Sequence, residues 1–179
     1  MTDERERPAR RPTHEALWPK DLFTQGIGWV ILARFKAAGR RVETGVFLVD
    51  VFCLGAKLAV YEEGDAEDYQ RRIRDHYVGR FPMVPLEPDC ARKLVEQAVQ
   101  YAQSLGFAPH PDYKKAARVF GGLRAEPCPQ EFTFGHQGKP FYRRGPGAGE
   151  GRPAERKMVE GGMKWRSSCK NTAGHPSGI

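Results

Sequence analysis

No stretch of this chain comes near the roughly 18 uninterrupted apolar residues that cross a membrane as a helix. The N-terminal MTDERERPARRP has no apolar segment behind its charges to form a secretory leader. These absences predict a chain without membrane contact that stays in the cytoplasm. Cysteine is scarce and scattered: Cys53, Cys90, Cys128 and Cys169 contain no CxxC or CxxH pair, so the ligand spacing of a structural zinc site is missing. In a reducing cytosol four such residues are expected as free thiols, the buried ones acting as small hydrophobes. A phosphate-cradling loop is also missing, because the GIG at 26–28 precedes a strand pattern rather than a helix. Neither a metal nor a cofactor is expected.

A one-sided charge is absent from most of the chain. The formal net charge is +7 over 179 residues. Residues 1–20 hold five Lys/Arg and four Asp/Glu, and residues 21–142 hold sixteen and fifteen. Residues 143–179 hold eight and three, so the excess sits at the C-terminal end. A basic extension of this kind can hold RNA, DNA or an acidic protein surface by counterion release without reading sequence.

What is present divides into three zones. Residues 1–20 read as a charged flexible arm, with Trp18 and Pro19 able to anchor its end. Residues 21–142 carry the periodic patterns. From Arg143 onward the chain is rich in Gly, Pro and Ser with few apolar residues, a composition that cannot offset its ordering entropy and predicts disorder.

In the middle zone, GWVILARFK (28–36) and VETGVFLVDVF (42–52) are rich in β-branched and aromatic residues across the connector AAGRR, which predicts an antiparallel hairpin. Val46, Leu48, Asp50 and Phe52 share one face, and Phe47, Val49, Val51 and Cys53 the other, so this strand is expected to be covered on both sides. KLAVYEE continues as strand. A helix is predicted over 66–77, capped by Asp65 and burying Tyr69, Ile73 and Tyr77. A long helix follows, capped by Asp89 and closed by Gly106, with a shorter one over PDYKKAARVF. EFTFGHQGKPFY reads as a second hairpin with turn glycines at 135 and 138. The order predicts an α+β domain: a mostly antiparallel sheet of four or five strands in two hairpins, packed by about three helices.

Three residues are candidates for chemistry. Asp50 lies in an apolar run, where a carboxylate gains a raised pKa and general-base character, or else accepts backbone N–H bonds or pairs with Lys57 or Arg34. Cys53 converges on it only if the strand bulges near Gly55. His110, two residues from Asp112, is either an oriented imidazole or part of a helix start. A Cys90–His110 or Cys53–His76 pair would supply a nucleophile, and a metal site from Cys53, Cys90, His110 and Cys128 would need ligands from four separate segments. For nucleic acid, Phe134, Lys139, Tyr142, Arg143 and Arg144 interleave aromatic rings with cations, the pattern of single-strand surfaces and also of an edge hairpin packed on a core.

The blocks GVFLVDVFCLGAK, PDCARKLVEQAVQYAQSLGFAPHPDYKKAARVFGG and FTFGHQGKPFY, in that order, resemble a family of uncharacterised bacterial proteins. The resemblance brings no assigned activity. It implies a domain closing near Gly145–Pro146, hence a globular unit over 21–146 and a basic disordered tail over 147–179. The function expected from the sequence is a non-catalytic binding or accessory protein that associates with RNA, DNA or a protein partner through its basic end. A small hydrolase or transferase using Asp50, Cys53 and His110 is the alternative, and a protein-interaction adaptor is a third.

Overall fold

The structure, a computed structural model, describes residues 13–142. Strands β1 (His14–Pro19), β2 (Ile27–Lys36), β3 (Arg41–Asp50), β4 (Gly55–Asp65) and β5 (Met83–Pro85) form one antiparallel sheet in the order β4-β3-β2-β1-β5. The fold is α+β, as its sequence pattern predicts.

The expected hairpin is β2–β3. Ala37, Ala38 and Gly39 take positive φ in its turn, and this fixes Lys36 opposite Arg41 and Ile27 opposite Asp50. A bulge next separates Leu48↔Leu58 from Val49↔Ala56, which leaves Lys57 as the extra residue of β4. Both faces of β3 are covered. Phe47 and Val49 pack with Ala91, Leu94, Val95 and Ala98 of the long helix α4 (Pro88–Ser104). Val42 and Val46 pack with Tyr69 and Ile73. Those two come from a helix that begins as α2 (Ala66–Asp68), passes through a π-helical segment (Tyr69–Arg74) and ends as α3 (Asp75–Val78). Asp65 caps it as expected, its Oδ1 accepting the Asp68 N–H at 2.8 Å. The short α1 (Leu22–Gln25) links β1 to β2, and α5 (Tyr113–Ala116) runs on as a 3-10 turn over Ala117–Phe120.

Several expectations are corrected. Residues 14–19 are not part of a flexible arm: β1 is hydrogen-bonded on both sides, to β2 and β5, with Ala16 and Leu17 buried. Asp89 does not cap α4. Pro88 opens that helix, where its missing N–H costs nothing, and the Asp89 carboxylate accepts the Arg124 N–H instead. EFTFGHQGKPFY forms no strands; a single His136↔Lys139 bridge closes its turn. Its alternating rings, Phe132, Phe134 and Phe141, pack on the core from an irregular segment, so the period of two reflects burial rather than a ladder. Cys90 and Cys128 are not free thiols but a disulfide, with Cα atoms 5.0 Å apart. Residues 1–12, Cys169 and the tail expected to be disordered lie outside the described residues. No helix among the described residues is long and apolar enough to cross a membrane.

Candidate functional site

Asp50 ends β3 with its side chain buried. Its Oδ1 accepts the N–H groups of Phe52 (3.0 Å) and Cys53 (2.9 Å), so the carboxylate closes the turn into β4. Burial raises its pKa, while the Cys53 N–H and the nearby Lys57 charge pull it back. Cys53 is fully buried among Ala102, Phe107 and Tyr142. Burial, with the Asp50 charge behind it, pushes its thiol up to about 12, so the thiolate is scarce near neutral pH. His110 lies on the loop before α5. Its N–H bonds the Ala56 carbonyl at 2.9 Å, its Nδ1 accepts the Asp112 N–H at 3.2 Å, and the Asp112 carboxylate is 3.9 Å away. No hydrogen bond or ion pair among the described residues joins His110 to Asp50 or Cys53. The bend near Gly55 brings the Cys53 backbone, not its sulfur, onto the carboxylate.

The aromatic–cation segment is divided by packing. Phe134 stacks on Tyr101 at 5.6 Å and meets Phe23 edge-on at 6.2 Å. Tyr142 is buried beside Cys53. These two rings are therefore core residues rather than open platforms for bases. Lys139 is exposed, and Arg143 and Arg144 lie outside the described residues. The described residues contain no group of three His, Cys, Asp or Glu placed to hold a metal.

The site that the chain does assemble is a polar groove of about 530 Å³ between β2, β3, α4 and the 3-10 turn after α5. Arg34 and Lys36 point from β2 to the same face and grip Glu43 across the ladder. Burial opposes the charge of Glu43, but Lys36, the Tyr61 hydroxyl and Arg34 outweigh it and hold the carboxyl below its ordinary pKa. The buried Nε of Arg34 has no hydrogen-bond acceptor among the described residues. Arg92 bonds Glu96 at 2.9 Å and the Leu123 carbonyl, and lies 5.6 Å from the Phe120 ring centre. Arg118 lies over Tyr61 at 5.2 Å and has no carboxylate partner among the described residues. Gly121 makes room for this arrangement: at φ +52° it passes Arg34 so closely that a Cβ would sit 2.2 Å from Nη1.

Sequence reading missed this groove. One signal for part of it was available, since the hairpin turn fixes Arg34 opposite Glu43. Arg92 and Arg118 join only through tertiary packing, and the balanced charge of residues 21–142 hides the local excess. Comparison with family models, with curated proteins and with solved structures returns no match.

Proposed function

We propose that the protein works by binding rather than by catalysis, as an accessory component that grips the phosphate backbone of a nucleic acid within a larger assembly. The observation that carries this reading is the cation excess of the groove. Among the described residues, Arg34, Lys36, Arg92 and Arg118 face two carboxylates there, Glu43 and Glu96, in a body that is otherwise almost neutral. Arg118, an arginine without a carboxylate partner among the described residues, is a donor suited to phosphate oxygens. Phe120 already stacks on Phe47 and lies under Arg92, so the groove offers charge rather than a free ring. That favours recognition of the backbone over recognition of bases. The basic residues from Arg143 onward add to the same attraction. Against the hydrolase or transferase alternative stand the separate structural duties of Asp50, Cys53 and His110.

Fluorescence anisotropy with a labelled single-stranded RNA or DNA tests the proposal. The full chain binds at about 100 mM salt, and Arg118→Glu weakens binding by about tenfold, in the range of one reversed phosphate contact. Absence of binding, or equal binding by the variant, overturns it.

A further inference from the structure

β4 is an edge strand, and at 11 residues it is the longest in the sheet. Among the described residues, the one backbone hydrogen bond on its open side is donated by His110 N–H to the Ala56 carbonyl. From Lys57 onward the outward N–H and C=O groups have no backbone partner among the described residues. Proteins blunt such edges with charge and bulges. Here the bulge carries a cation, Lys57, at one end, while Glu62 and Glu63 lie toward the other. Neither Lys57 nor Glu63 has a salt-bridge partner among the described residues, and both are exposed; Glu63 accepts the Tyr61 hydroxyl at 2.5 Å on one oxygen, which leaves its charge unpaired. Between them stands Val60, a large apolar residue left 38% exposed.

An edge whose two ends differ in charge is complementary to an antiparallel copy of itself. We propose that β4 pairs with β4 of a second copy of this chain, antiparallel about a two-fold axis at Val60. In that register Lys57 stands opposite Glu63 of the second copy, twice over, and opposite charges across a ladder attract. Moving the axis to Ala59 sets Lys57 against Tyr61. Moving it to Tyr61 calls on Asp65, whose carboxylate already caps the following helix. Placing it at Glu62 brings two carboxylates face to face. The pairing starts where His110 stops blocking the edge. It joins Val60 to its copy beside the row of Leu58, Leu48 and Trp29 that the sheet register aligns. A cleft of about 190 Å³ between Val60 and the Ile73–Tyr77 helical turn flanks the new contact. An axis perpendicular to the sheet keeps like faces together, so the α4 faces of both copies lie on the same side of a ten-stranded sheet. None of this depends on what the groove binds.

Sedimentation equilibrium of the full chain from low micromolar to several hundred micromolar tests the proposal, with circular dichroism confirming that each variant is folded. The wild type dimerises reversibly. Lys57→Glu and Glu63→Lys each weaken the dimer by about tenfold or more, because each puts like charges opposite twice. The double variant K57E/E63K recovers association to within about threefold of wild type, since exchanging the two charges restores both pairs. A wild type that stays monomeric throughout overturns the proposal. So does a dimer indifferent to the single variants, or a double variant no better than either.

Discussion

Arg34 and Glu43 stand directly opposite each other across the β2–β3 ladder, and an Nη2 to Oε2 distance of 2.5 Å joins them. Lys36 reaches the other oxygen of the same carboxylate. The groove therefore holds Glu43 on two of its four cations and Glu96 on a third, Arg92, and any external anion competes with them.

That competition gives opposite expectations for Glu43→Gln. Stability falls by about 1–2 kcal/mol, less than for a fully buried pair because Arg34 and Lys36 are partly solvated. Affinity for a polyanion rises several-fold, because one competing charge is gone. Denaturant melts and anisotropy on the same preparation read both effects.

The pH dependence of that stability difference has a definite sign. Glu43 has a lowered pKa in the fold. Its contribution is therefore complete above the ordinary value of 4.5 and disappears as pH falls through the lower folded value. The gap between wild type and Glu43→Gln is expected to be constant from pH 7 to 5 and to close below 4.5. Asp50, raised by burial, works in the opposite sense in both proteins and cancels in the comparison.

Cys53 is expected to resist alkylation. With its thiol pushed up to about 12 and no exposed surface, iodoacetamide at pH 8 leaves the Cys53 peptide unmodified in the native protein and labels it in denaturant. Peptide mapping by mass spectrometry distinguishes Cys53 from Cys169. Rapid native labelling of Cys53 would return a nucleophilic role to it.

The Cys90–Cys128 bond staples the irregular segment after α5 to the start of α4. Asp89, Arg92 and Lys93 hold the same segment through the Arg124 N–H and the carbonyls of Leu123 and Gln130. Closing a 38-residue separation is worth about 2–4 kcal/mol. Cys128→Ser is expected to melt earlier by that amount, and a phosphine reductant should lower the wild type to the same level while leaving the variant unchanged.

The β2–β3 hairpin, β4 and the three helical segments were legible because each has the periodicity of its own element and a clear stop. β1 was not, since HEALWP is short, lies between prolines and follows a charged run; it is a strand because β2 and β5 pair with it. The Phe132–Phe134 alternation misled for the converse reason: burial against α1 and α4 produces the same spacing without a ladder. The role of Asp50 was readable as one of two choices, as its backbone acceptors lie within three residues. The disulfide and the groove were not, because each joins segments far apart in the chain. In the groove, moreover, the cations are cancelled by carboxylates elsewhere when charges are counted along the sequence.

The central claim is that groove cations meet phosphates. The most direct test is the salt dependence of binding to a labelled single-stranded oligonucleotide, measured for the wild type and for a double variant carrying Arg92→Ala and Arg118→Ala. A linear fall of log Kobs with log salt is expected, with a slope shallower by about 1–2 in the double variant, one step of about 0.7 per lost contact. Identical slopes for the two proteins would contradict it.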